Sequence, residues 1–217
     1  MRGHRVLTPD LTPDLDQPLE QWSASIAELL TTTSRPLLLV GHSRGGAVIS
    51  QVAERVPEAI DMLVYLAAFL LDSGETVAAR GGMGDGPPPG LELSADQRLC
   101  TVAPQVAAAL FFQDALPEAT GNAVAALRPE PLASFYMPIA TSAERFGTVR
   151  RVYIETLQDI AIPIATQRAM QADLPCERVF TIDSGHSPFV TNIQELTEIL
   201  VDLADQLVAA EAAQPTP

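Results

Sequence analysis

Apolar side chains at Leu15, Leu19, Trp22, Ile26, Leu29 and Leu30 recur every three or four positions, the spacing of one helix face. Asp16 with Pro18 supplies the start signal for that helix. The pattern then shortens. Residues 37–40 are an unbroken apolar run, and residues 60–66 are apolar apart from Asp61. Runs of this length suit strands buried on both faces of a parallel sheet. Between them Val48, Val52 and Val56 stand four apart, on one side of a helix that Pro57 closes. Residues 5–7 predict a short first strand. Residues 151–156 and 178–182 predict two late ones, with a helix near 164–171 between them. Ile193, Leu196, Ile199, Leu200, Leu203 and Leu207 line one face of a last helix, with Asn192 and Glu195 at capping-box spacing. Alternating strands and helices predict an α/β class, a doubly wound, mostly parallel sheet.

The middle of the chain breaks this rhythm. Residues 72–90 are rich in Gly and Pro, the chemistry of a loop or a neck. Residues 93–110 are Ala-rich and predict a helix, and 117–127 predict a second. Residues 70–147 therefore read as a helical cap inserted into a core made of 1–69 and 148–213, with 214–217 as a frayed tail.

Composition narrows the function. The 217 residues allow one domain with a real core, and a hydrophobic fraction of 47% with 18% charged is globular. A net charge of −14 argues against nucleic acid or an anionic membrane as partner. Cys100 and Cys176 read as ordinary thiols, and no Cys/His cluster has metal-ligand spacing. No cofactor is expected. The first ten residues lack the apolar core of a leader, and the apolar run 62–71 is too short to span a bilayer, so a cytoplasmic protein is the default. Self-association stays open.

Chemistry concentrates at Gly41-His42-Ser43-Arg44-Gly45, which follows a buried strand and opens a helix. Gly-x-Ser-x-Gly in that setting is a nucleophile elbow. Glycines on either side would avoid collision with strand and helix, and the Arg44 amide would face a developing oxyanion. A serine needs a base and the base an orienting acid. Of the three histidines, His4 reads as a turn residue and His42 as packing beside the elbow. His186, just past a strand end, is the candidate base. Asp159 is the expected acid because it gives the chain order Ser, Asp, His. Asp183 suits a local turn, and Glu155 lies inside a strand. The Arg44 side chain reads as a surface or cap contact. Phe69, Phe111, Phe112, Met137 and Phe189 are candidate pocket residues.

With these residues in view the chain resembles a known family. Gly-His-Ser-Arg-Gly-Gly, Tyr153 to Pro163 with Gln167 and Met170 after it, Gly185-His186-Ser187-Pro188-Phe189 and the stretch from Phe111-Phe112-Gln113-Asp114 through Leu127-Arg128-Pro129 are similar to the α/β-hydrolases that include plant methylesterases, hydroxynitrile lyases and bacterial esterases. The resemblance implies cofactor-free hydrolysis of a small, fairly apolar ester through an acyl-enzyme, with nucleophile, acid and base on Ser43, Asp159 and His186. Two departures matter. The lyases carry a lysine where this chain has Ser187, which argues against cyanohydrin cleavage. Family members also place a strand, loop and helix, roughly 20–30 residues, ahead of the segment that here opens the chain. The expectation is therefore a sheet lacking its N-terminal strand and oxyanion loop. The alternative is a shortened, weakly active or inactive relative that binds a small ligand or partner.

Overall fold

The computed structural model describes residues 3–11, 14–84, 86–88 and 90–213; the expected frayed tail at 214–217 lies outside them. In chain order the elements are α1 (Pro18–Thr31), β1 (Leu38–Ser43), α2 (Gly45–Arg55), β2 (Met62–Ala68), α3 (Val77–Arg80), β3 (Leu91–Leu93), β4 (Leu99–Val102), α4 (Pro104–Phe111), α5 (Pro117–Ala125), β5 (Glu130–Pro131), α6 (Ala133–Tyr136), β6 (Arg151–Thr156), α7 (Ile164–Asp173), β7 (Arg178–Ile182), α8 (Pro188–Thr191) and α9 (Ile193–Ala212).

One parallel sheet runs β1-β2-β6-β7. Strand β2 is buried along its whole length, and its side chains alternate between two cores as the pleat requires. Leu63 and Tyr65 join Tyr153 and the α1 and α2 residues Leu19, Trp22, Ile26, Leu30, Val48 and Val52. Met62, Val64 and Leu66 face the other way, with Val152, Ile154, Ile182 and the α9 residues Leu196, Leu203 and Leu207. Two phenols sit inside the first core with their rings parallel and 6.3 Å apart. Burial pushes both phenol pKa values up. Each hydroxyl has a partner, as buried polar groups require: Tyr65 shares a 2.7 Å bond with Ser50, and Tyr153 donates to the Ala68 carbonyl at 2.6 Å.

Several expectations need correction. Residues 5–7 form no strand, and Val6 is 79% exposed. A strand exists only with a ladder partner, and none of the described strands pairs with this segment. Instead His4 contacts Asp205 on α9 at 2.9 Å. The N-terminal signal of α1 also differs. Asp14, not Asp16, accepts the Asp16 and Gln17 amides, both at 2.8 Å, while Pro18 occupies the first turn as expected. At α9 the capping box does not form. Asn192 already ends α8 through its amide bond to the Pro188 carbonyl, and its side chain makes no cap bond.

The excursion between β2 and β6 is mixed rather than helical. Residues 93–110 begin as an antiparallel hairpin of β3 and β4, joined by β5 into a small three-stranded sheet. The Ser94 hydroxyl accepts the Leu99 amide at 3.0 Å, and Gln97 takes a positive φ of 58°. That polar turn wins over the alanine propensity until Pro104 starts α4. Residues 117–125 are helical as expected.

Candidate active site

Strand β1 ends at Ser43 with φ of 54°, and α2 begins two residues later. A serine in the left-handed region is strained and is held there by its surroundings. The Ser43 carbonyl accepts the Phe69 amide at 3.0 Å. A Cβ on Gly41 would lie 2.6 Å from the Gly45 carbonyl oxygen, and one on Gly46 would lie 2.3 Å from that of Phe69. Gly45, in contrast, has nothing within 4 Å of such an atom. The expected collision on both flanks of the serine therefore falls on Gly41 and Gly46. Arg44 is the N-cap of α2, where amides lack an intrahelical acceptor.

His186 follows β7 and is 2% exposed. Its Nδ1 lies 2.8 Å from Asp159 Oδ2. A carboxylate only accepts, so Nδ1–H donates and Nε2 is left free of that proton. Asp159 follows β6, and its carboxylate is fully engaged. Oδ1 accepts the Ala161 and Ile162 amides at 2.8 and 2.9 Å. Oδ2 also takes the Thr156 hydroxyl at 3.2 Å and the Gln167 amide at 3.3 Å. Gln167, fully buried on α7, further donates to the Ile162 carbonyl at 2.8 Å and accepts the Thr156 amide at 3.1 Å. This amide ties the acid loop to the end of β6.

The other two acids are elsewhere. Glu155 takes Arg168, Gln171 and Thr181, and the Arg168 hydrogen bond holds its carboxyl below the usual range. Asp183 is exposed and accepts from Gln158 at 2.8 Å. Of the predicted site residues the structure joins Asp159 to His186 directly. His42, next to Ser43 in the chain, contacts His186, and no hydrogen bond links Ser43 Oγ to His186 among the described residues. Bonds of this kind often tighten only once substrate is bound.

His42 does more than pack beside the elbow. Its ring lies 4.5 Å from that of His186 and stands edge-on to Phe189 at 4.9 Å. Nε2–H donates to the His186 carbonyl at 2.8 Å. Burial, then the nearby His186, lowers its pKa to about 3. The folded value lies below the ordinary 6.5, so the unfolded chain binds the proton first. Stability from this group is therefore complete above about pH 6.5 and is lost as pH falls toward 3. Between about pH 7.5 and about pH 5, wild type is expected to lose about 2 kcal/mol more than His42→Gln, read from urea midpoints. Parallel pH curves for the two proteins would contradict this.

The Arg44 side chain reaches the cap, as expected. It pairs with Glu130 at 2.6 Å, donates to Ser134, and lies over the rings of Trp22 at 4.7 Å and Phe135 at 5.1 Å. Burial pulls its pKa down, and Glu130 opposes this. Among the aromatic candidates, Phe111 stands 5.5 Å from the His186 ring and Phe189 covers His42. Phe69 and Phe112 are buried, and Met137 packs against the first core. No cluster of three or more potential metal ligands occurs among the described residues.

A strained serine at a strand-to-helix turn, with an aspartate–histidine pair past the carboxyl ends of β6 and β7 of the same sheet, defines a hydrolase-type α/β protein. The chain belongs to the alpha/beta hydrolase family, whose model matches residues 1–199. It is 30% identical over 230 residues to a pyrethroid hydrolase of Sphingobium wenxiniae, covering 94% of this chain and 79% of that protein. It is 28% identical to methylesterase 1 of Arabidopsis thaliana, covering 95% and 88%. Of a chloroplastic Arabidopsis thaliana relative named as a methylesterase, it spans 57% of the length at 29% identity. The crystal structure of a pyrethroid hydrolase from Sphingobium faniae superimposes with a TM-score of 0.79 at 28% identity, covering 94% of this chain and 87% of that one.

Proposed function

We propose that the protein is a carboxylic-ester hydrolase that cleaves a small, fairly apolar ester with Ser43, His186 and Asp159. The observation that carries this reading is the 2.8 Å bond between His186 Nδ1 and Asp159, placed past the strand ends where Ser43 is held at positive φ. Ser43 Oγ attacks the carbonyl carbon as its proton passes to His186 Nε2. The Arg44 amide donates to the oxyanion. The tetrahedral intermediate collapses, and the leaving alcohol takes the proton from His186. Water then attacks the acyl-enzyme, giving its proton to His186, and the acid is released as the acyl–Oγ bond breaks and Ser43 Oγ takes that proton back. Asp159 holds the imidazole in the tautomer that this requires. The named relatives support ester cleavage as the reaction. No helix among the described residues is long and apolar enough to cross a membrane.

A fluorophosphonate should label the folded protein, with the adduct mapped by mass spectrometry to the peptide containing Ser43, and small chromogenic esters should turn over. Absence of an adduct in folded protein would reject the hydrolase.

A further inference from the structure

The loops that carry Asp159 and His186 are both gripped from one place outside the sheet, the turn that follows α4. Asp114 Oδ2 accepts the Gly185 amide at 2.6 Å, and Gln113 Nε2 donates to the Gln158 carbonyl at 2.8 Å. Gly185 directly precedes His186, and Gln158 directly precedes Asp159. Each bond therefore fixes the peptide beside one member of the pair. The fit is close, since a Cβ on Gly185 would fall 2.5 Å from Gln113 Nε2 and 2.7 Å from Asp114 Oδ1. Phe111, at the end of α4, sets its ring 5.5 Å from that of His186. The two loops also hold each other, through Gln158 N to the Ser184 carbonyl at 3.0 Å and Gln158 Nε2 to Asp183 at 2.8 Å.

We propose that Asp114 is a positioning residue for His186, acting through the Gly185 peptide, with Gln113 giving the acid loop a second hold. This rests on the ester-hydrolase reading. The physical need is plain. Glycine has no side chain to anchor it and more backbone freedom than any other residue. An amide bonded to a carboxylate is charge-assisted and stronger than a neutral pair. Misplacing a reacting group by about 1 Å can cost on the order of 10² in rate. Asp114 is exposed, so truncating it leaves no cavity in the core.

The test compares Asp114→Ala and Asp114→Asn, each in wild-type and His186→Ala backgrounds. Asp114→Ala should lower kcat roughly 10- to 100-fold with KM little changed. Asp114→Asn keeps an acceptor oxygen and should stay within a few-fold of wild type. In the His186→Ala background the alanine change should add less than about twofold, because its route to the chemistry is gone. Equal losses in both backgrounds, or no loss in either, would overturn the proposal. A readout independent of turnover is the proton resonance of His186 Nδ1–H. It should shift or broaden in Asp114→Ala and persist in Asp114→Asn; an unchanged resonance in Asp114→Ala would also overturn it. If wild type cleaves no ester while that resonance responds, the hydrolase reading falls and the positioning role stands.

Discussion

Asp159→Asn is expected to lower kcat about 10⁴-fold while the protein stays folded. The argument is one of hydrogen-bond bookkeeping. Asp159 Oδ1 faces two amide donors, Ala161 and Ile162. Oδ2 faces His186 Nδ1, the Thr156 hydroxyl and the Gln167 amide. An asparagine must place its NH₂ on one side. On the first side it would meet two N–H groups that cannot turn away, because they belong to the backbone. It therefore goes to the second, where it donates to His186 Nδ1 and forces the proton onto Nε2. That tautomer cannot take the Ser43 proton. The loop itself keeps its two backbone bonds, so unfolding midpoints should move little. Asp183→Asn is the control: Asp183 is exposed, and an asparagine keeps an oxygen to accept from Gln158, so kcat should stay within a few-fold. Steady-state hydrolysis of a chromogenic ester reads both. A drop of less than about tenfold for Asp159→Asn would mean that another group orients the base.

Much of this arrangement was legible because it depends on short-range pattern. Strands β6 and β7 have the bounds expected from their runs, because both are rich in β-branched and aromatic residues, a signal that holds even for β7, which lies at the sheet edge and is mostly exposed. Strand β2 starts two residues later than residue 60, because the Asp61 carboxylate is committed to the Leu37 amide at 2.7 Å and to Arg35. The aspartate–histidine contact followed from chain order together with the place of Asp159 just past the penultimate strand. The hairpin of β3 and β4 did not. Its strands are three and four residues long, too short to outweigh an alanine-rich composition until they pair. Gln167 fitted the family pattern, but its role was not legible for another reason. A glutamine on a helix reads as surface, and only the packing of α7 over the end of β6 reveals it as buried. Asp114 was visible as part of a familiar stretch, yet its partner lies 71 positions away, and no local rule connects them. His42 was given the right neighbourhood but not its bond to the His186 carbonyl, because that bond spans 144 positions.

Gly45 and Gly46 stand side by side, and their alanine variants are expected to move stability in opposite directions. At Gly46 the added methyl would sit 2.3 Å from the Phe69 carbonyl oxygen and 3.0 Å from its carbon and nitrogen. All three are backbone atoms, so no rotamer change relieves the clash. Helix α2 must lift from the end of β2, and the Phe69 amide bond to the Ser43 carbonyl lies directly in the path of that movement. Gly46→Ala should therefore cost about 3 kcal/mol, the upper end for overpacking, and should also lower kcat by loosening the turn that holds Ser43. At Gly45 the methyl meets nothing within 4 Å, and the residue is the first of α2. Gly45→Ala removes freedom from the unfolded chain without native strain, which stabilises by about 0.4–1 kcal/mol. Urea unfolding of both variants measures the difference. Two variants destabilised alike would mean that the small-residue run serves the serine turn as a whole, and that the close approach of α2 to Phe69 is not what demands glycine at position 46.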